Sequence, residues 1–237
     1  MPTPVFFDLD DTLLDDTGAK RAYLPQLFMA WRHRLPHSDE SAFDEAWISA
    51  LDLHFERHLR GELSFVEQRR ERFRDVFRAR LSDADCDELT REFLRIYEAN
   101  WRLFDDVVPA LDRLAHLPLG VITNGLDAQQ RQKLELLGIA NRFKVIVTSD
   151  ASKLSKPDPR IFHHAAAAIG ARPEQCAHVG DDWSRDVEGA AAAGFRAIWL
   201  DRSVRGRESA DPSRRTVLRI ESLLNLVEHI RDVPLHT

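Results

Sequence analysis

Cysteine is nearly missing from this chain of 237 residues: Cys86 and Cys176 are its only two, far apart and in no Cys-x-x-Cys spacing. That argues against a disulfide framework and a thiolate metal site, and it fits a reducing compartment. Basic residues are not in excess either. Lys+Arg number 33 against 39 Asp+Glu, a net charge of −6, so the polycationic surface of a nucleic-acid binder is absent and no polymer partner is expected. No apolar run approaches the roughly 20 residues that span a bilayer, so no membrane partner is expected. The opening Met1-Pro2-Thr3-Pro4 lacks the basic and apolar regions of a signal peptide and reaches an aspartate at position 8, which places the protein in the cytoplasm as an expectation. Internal repeats and low-complexity segments are also missing. What is present is 43% hydrophobic and 30% charged residues, enough to build a core.

The order of segments gives the organisation. Val5-Phe6-Phe7-Asp8-Leu9 is a short apolar run ending in acidic residues, as expected of a buried parallel strand whose carboxyl end opens onto a polar site. From about residue 17 to 104 the pattern is charged and helix-periodic, with Trp31, Phe43, Trp47, Phe55, Phe65, Phe73, Phe77, Phe93 and Trp101 forming inward stripes over about four helices. Ser64 and Glu67 make a capping box at one helix start, and Ser82, Asp83 and Asp85 mark the next. After Pro109 strands and helices alternate: strands at 119–123, 144–148, 176–179 and 196–200, helices at 127–137, 158–169 and 185–193. Residues 202–215 read as a charged surface loop and 220–230 as a closing amphipathic helix. Short apolar strands joined through single helices predict an α/β fold with a doubly wound parallel sheet. Because the first strand resumes its partners some 100 residues later, the helical block is an insertion into this core.

In open α/β sheets ligands bind beyond the carboxyl ends of the strands. Reading those positions gives Asp8, Asp10 and Thr12 after the first strand, Thr123 and Asn124 after the second, Lys156 after the third and its loop, and Asp181, Asp182 and Asp186 after the fourth. Several carboxylates on one edge need a neutraliser, and oxygen ligands point to Mg²⁺. Magnesium, a lysine and hydroxyl donors together suit a phosphoryl group. A calcium loop opening at Asp8 is excluded, because its sixth position is Leu13 where glycine is required and its twelfth is Ala19 where glutamate is required.

Four fragments carry a resemblance. Phe7-Asp8-Leu9-Asp10-Asp11-Thr12-Leu13, Val121-Ile122-Thr123-Asn124-Gly125, Ser155-Lys156-Pro157-Asp158-Pro159 and Val179-Gly180-Asp181-Asp182-Trp183-Ser184-Arg185-Asp186 resemble, in order, the motifs of the haloacid dehalogenase (HAD) superfamily, subfamily I. The resemblance implies a Rossmann-like core over residues 1–16 and 105–237 and an inserted helical cap of the C1 type over 17–104. It implies an aspartyl-phosphate mechanism with Asp8 as nucleophile and Asp10 as general acid and base. It further implies Mg²⁺ held by Asp8, the Asp10 main-chain carbonyl and Asp181, with Thr12, Asp182 and Asp186 in support. Thr123, the Asn124 main-chain N–H and Lys156 are implied to hold the phosphoryl group. The partner implied is a small phosphorylated metabolite or nucleotide, and the assembly a monomer or homodimer. A phosphomutase of the β-phosphoglucomutase type shares all four motifs. A 2-haloacid dehalogenase is disfavoured because those enzymes lack the second aspartate, and Lys20 is the only cap lysine that a phosphonoacetaldehyde hydrolase could use.

Other conspicuous residues have plainer expectations. Lys153 lacks the Lys-Pro pattern of Lys156, and His178 reads as a hydrogen-bonded core histidine. His54 and His58 have zinc-compatible spacing but no third ligand. Arg57, Arg60, Arg69 and Arg70 read as solvated helix faces, while Tyr23 and Trp101 are candidates to face a substrate cleft.

Overall fold

A computed structural model describes residues 3–202 and 216–230. The chain forms two compact units, one of Met1–Asp15 with Arg102–Thr237 and one of Asp16–Trp101.

In chain order, strand β1 (Val5–Phe7) opens the first unit, and four helices make the second: α1 (Asp16–Trp31), α2 (Glu40–Leu59), α3 (Phe65–Phe77) and α4 (Asp83–Ala99). Polar caps set their starts. Asp39 accepts from Ala42 N–H ahead of α2, and reciprocal capping boxes precede α3 (Ser64 with Glu67) and α4 (Ser82 with Asp85). The helices bury an aromatic core in which Trp31, Phe43, Trp47, Phe73 and Tyr23 are at most 1% exposed. Trp47 contacts Phe93, Phe73, Trp31 and Phe43 at 5.2–5.9 Å between ring centroids, in tilted or edge-on pairs. Phe55 and Phe65 depart from the expected stripe: both are only half-buried and sandwich His58.

Back in the first unit come α5 (Val107–Arg113), β2 (Leu119–Thr123), α6 (Asp127–Leu136), β3 (Val145–Thr148), α7 (Ser149–Ser152), α8 (Pro159–Ala168) and β4 (Ala177–Gly180). A π turn (Trp183–Glu188), α9 (Gly189–Ala192), β5 (Arg196–Leu200), β6 (Leu218–Ile220) and α10 (Leu223–Ile230) complete it. All pairings are parallel and the strand order is β3-β2-β1-β4-β5-β6, a doubly wound α/β sheet. Phe6, Ile122 and Val147 pack with Phe162 and Phe195, and Ala165, Ala166, Ala190 and Ala193 give α8 and α9 small faces toward this core.

Three local expectations are corrected. The single helix expected at 185–193 begins as a π turn, because Asp182 caps it and both Asp186 N–H and Val187 N–H reach the Asp182 carbonyl. The closing helix starts at Leu223, and the residues before it form β6. Charged Arg219 at the centre of that three-residue strand, paired with Asp201 at 3.0 Å, hides it from periodicity. Helix α5 was not expected; its Pro109 sits in the first turn, where the missing N–H has no intrahelical partner. Residues 203–215, expected as a loop, lie outside the described residues.

Candidate active site

Strand order places β1 between β2 and β4, so the chain turns outward in both directions from β1. The carboxyl ends of β1 and β4 are therefore neighbours at the topological switch point, where side chains can converge on a ligand. Register fixes the heights: Phe7 pairs with Val179 and with Val121, and Asp8 N–H donates to the Val179 carbonyl at 2.9 Å. Asp8 and the residues that follow β4 thus emerge at one level.

Lys156 is the hub. Its Nζ donates to Asp8 Oδ1 at 2.5 Å and to Asp186 Oδ1 at 2.6 Å, with all three side chains buried. The loop carrying Lys156 is clamped by Asn124, whose side-chain amide accepts from Lys156 N–H and donates to the Lys156 carbonyl, each at 2.9 Å. Lys156-Pro157 is a cis peptide. Asp186 is held from two further sides, by His178 Nε2 at 3.0 Å and by the Asp182 N–H, which donates to Oδ2 at 3.1 Å. Gly180 makes room for it, since a Cβ there would lie 2.3 Å from Asp186 Cγ. Thr12 Oγ1 donates to Asp181 Oδ1 at 3.1 Å.

Oxygens of Asp8, Asp181 and Asp186 all lie within 4.8 Å of one another. Three carboxylates face one ammonium, which leaves two negative charges when all are ionised. Burial pushes the Asp8 carboxyl well above its usual range, opposed by Lys156 and reinforced by Asp186, Asp181 and Asp10. Burial, Asp186 and Asp11 push Asp181 up to about 7, against the pull of Lys156 and Thr12. Asp186 moves the other way: burial alone would raise it, but Lys156 and His178 prevail and hold it below the carboxylate range. For Lys156 burial is likewise outweighed, by Asp186 and Asp8, so the ammonium stays charged. The residues fit a hard divalent cation, because the donors are all oxygen and two of them lack a compensating charge.

The other residues read from the sequence divide between this cluster and its surroundings. Asp10 turns its carboxylate away from the triad, to Lys133 Nζ at 2.6 Å and Gln130 Nε2 at 3.0 Å. Gln130 also donates to Thr123 Oγ1 at 2.7 Å, tying the first two strand ends together. Asp182 caps the π turn by accepting from Arg185 N–H at 2.8 Å and stays outside the triad. Lys153 is exposed and pairs with Asp150. His178 is fully buried, and burial lowers its pKa against the pull of Asp186. In the helical unit His54 and His58 turn to separate partners, Asp75 Oδ2 and the Leu63 carbonyl. Tyr23 is a core residue at 1% exposure, with its hydroxyl accepting from Trp47 Nε1 at 3.1 Å.

Gln130 and Lys133 are the site residues that sequence reasoning missed. They stand three apart on α6, so they share a face, yet among Gln129, Gln130, Gln132 and Lys133 nothing in composition marks which are buried. Only the docking of α6 beside β3, which brings Gln130 to Thr123 and Lys133 to Asp10, does so.

A family model described as haloacid dehalogenase-like hydrolase matches residues 5–194. The chain belongs to the haloacid dehalogenase-like hydrolases. Within this family it is 34% identical to a phosphoserine phosphatase of Thermus thermophilus, over 92% of this chain and 95% of that protein. It is 27% identical to an N-acylneuraminate-9-phosphatase of Mus musculus, over 94% of each. Among solved structures it is similar to the HAD-hydrolase YfnB from Bacillus subtilis bound to magnesium, with a TM-score of 0.75, 22% identity and coverage of 98% of this chain and 99% of that one. As a member of this hydrolase family the chain is an enzyme. Among the described residues no helix is long and apolar enough to cross a membrane.

Proposed function

We propose that this hydrolase is a Mg²⁺-dependent phosphatase of small phosphomonoesters, acting through an aspartyl-phosphate on Asp8. The observation that carries the reading is the buried Asp8, bonded to Lys156 and sharing a 4.8 Å oxygen cluster with Asp181 and Asp186. The phosphoserine and N-acylneuraminate-9-phosphate phosphatases similar to it support a phosphorylated small molecule as substrate. The helical insert of residues 17–104 serves as the cap that gives specificity.

Asp8, Asp181 and the Asp10 main-chain carbonyl would hold the ion, with Asp186 and Thr12 steadying the set. Magnesium, when bound, offsets the charge of the phosphoryl oxygens and of the Asp8 carboxylate. Lys156 opposes the rise that burial gives the Asp8 carboxyl and offsets the negative charge that gathers as Asp8 attacks phosphorus. Thr123 and the Asn124 N–H bind phosphoryl oxygens. Asp10 gives its proton to the leaving alkoxide and then takes one from the attacking water, so that one carboxyl group serves both half-reactions. Its presence favours phosphoryl transfer over carbon–halogen cleavage.

The test is hydrolysis of p-nitrophenyl phosphate with Mg²⁺, with EDTA, and with Asp8→Asn. Phosphate release that needs Mg²⁺ and is lost in Asp8→Asn supports the reading. Activity that survives loss of Asp8 overturns it.

A further inference from the structure

Asp181 is the first residue past the end of β4. The last ladder pair joins Gly180 to Trp199 on β5, so the Asp181 carbonyl lies beyond the regular hydrogen bonds of the strands. A side chain takes it instead: Trp199 Nε1–H donates to the Asp181 carbonyl at 3.0 Å, from a ring that offers a donor and no acceptor. The other polar group of the same peptide is tied too, because Asp182 N–H donates to Asp186 Oδ2 at 3.1 Å. This peptide is trans. In a trans peptide the C=O and N–H point in opposite directions, so bonds at both ends stop the plane from turning about its long axis. A pinned plane sets the direction in which the Asp181 side chain leaves the backbone.

The donor is itself held. Trp199 packs edge-on against Trp183, with ring centroids 5.3 Å apart at 79°. Arg219 Cζ lies 5.5 Å from the Trp199 centroid while its Nη2 pairs with Asp201 at 3.0 Å. The residue two past β5 reaches the other end of Asp181 through Thr12. Arg202 donates to the Thr12 carbonyl at 2.8 Å, and Thr12 Oγ1 donates to Asp181 Oδ1 at 3.1 Å. Asp181 is thus fixed at its carbonyl and at its carboxylate from the β5 side of the sheet.

We propose that Trp199 is a positioning residue for Asp181: its indole N–H pins the Asp181–Asp182 peptide and so keeps the Asp181 carboxylate in the oxygen cluster with Asp8 and Asp186. The consequence for Mg²⁺ rests on the reading above that Asp181 is a ligand of the ion. The reacting atoms are left to the aspartates and Lys156.

Trp199→Phe removes the N–H and keeps a ring beside Trp183. Trp183→Phe is the control, since that indole donates elsewhere, to Glu188 Oε1 at 2.9 Å. Calorimetric titration of the metal-free full chain with Mg²⁺ alone is expected to give a Kd about three- to tenfold weaker in Trp199→Phe, the loss of one neutral hydrogen bond. In Trp183→Phe the Kd stays within about twofold of wild type.

A second arm is read in EDTA and needs no metal. Backbone deuterium exchange over residues 181–187 is expected to be about threefold or more faster in Trp199→Phe than in wild type or Trp183→Phe. In the wild type alone, the assigned Trp199 indole N–H is expected to exchange about tenfold or more slowly than a free indole, a measurement that needs no variant to fold. A wild type that takes up no Mg²⁺ strikes the magnesium reading and leaves the exchange arm to decide the proposal. Unchanged exchange over 181–187 or an unchanged Kd in Trp199→Phe, an equal loss in Trp183→Phe, or an unprotected Trp199 indole overturns it.

Discussion

Lys133 Nζ lies 2.6 Å from Asp10 Oδ1, with the lysine side chain 3% exposed. The pair joins α6 to the loop after β1 and, with Gln130 on the other carboxylate oxygen, sets where the Asp10 carboxyl group sits. Lys133→Met removes one of the two fixed partners and leaves the triad at Asp8 untouched. A misplacement of about 1 Å at a catalytic group costs up to about 100-fold. The expectation is a kcat for p-nitrophenyl phosphate lowered about tenfold or more with little change in KM, read from steady-state kinetics beside a circular dichroism spectrum.

Gly180 and Asp186 make a second close approach. A methyl group at position 180 would collide with Asp186 Cγ and Cβ, at 2.3 and 2.5 Å, and Asp186 is fixed by Lys156, His178 and the Asp182 N–H. It cannot yield without breaking those bonds. Gly180→Ala is expected to destabilise by about 1–3 kcal/mol, the range for overpacking, and to weaken Mg²⁺ activation. Thermal unfolding and a Mg²⁺ titration of activity check both, and a variant with wild-type Mg²⁺ response speaks against Asp186 as a support of the site.

Metal binding has a stability consequence. The unfolded chain does not gather Asp8, Asp181 and Asp186, so an ion that binds the folded protein raises the unfolding temperature, by about 2.7 kcal/mol in free energy at 100 times Kd. Adding MgCl₂ to EDTA-treated protein is expected to raise Tm, and Asp181→Asn to shrink the rise. Equal rises in both proteins would remove Asp181 from the ion's ligands.

Asp106 gives a pH dependence away from the site. Its carboxylate accepts from Arg202 Nη1 and Nη2 at 3.0 Å each, from Ser222 Oγ at 2.7 Å and from Leu223 N–H at 2.8 Å, which ties α5 to the start of α10. Arg202 also donates to the Thr12 carbonyl at 2.8 Å. Burial alone would raise the Asp106 pKa, but these hydrogen bonds and the Arg202 charge hold it below the usual range. A group depressed in the folded state stabilises above its unfolded pKa, about 3.9, and loses that contribution as pH falls through the folded value. Asp106→Asn is therefore expected to cost about 2 kcal/mol at pH 7, with the difference from wild type shrinking below about pH 4. Urea unfolding at pH 7 and pH 3 measures it, and a pH-independent difference would contradict the assignment.

Much of this was legible beforehand because chemistry and periodicity are local. The strands at 119–123 and 196–200 stand where their apolar runs put them, and the Ser64–Glu67 box opens α3 as its spacing indicates. The three-residue β6 was not legible, since three residues centred on Arg219 carry no period and are a strand only because β5 offers an edge. Nor was Tyr23 readable as core: a tyrosine near the start of an insert has the same sequence signature whether it faces a cleft or, as here, packs on Trp47, Phe93 and Tyr97.

The sequence by itself determined the family, the α/β class with its helical insertion, and which acids and lysine stand at strand ends, because motif spacing and strand register are properties of the chain. Tertiary structure alone decided how those groups divide the work. It gave Lys156 to Asp8 and Asp186 and turned the Asp10 carboxylate to Lys133 and Gln130. Burial and distance set those pairings, and neither exists until the helices have docked.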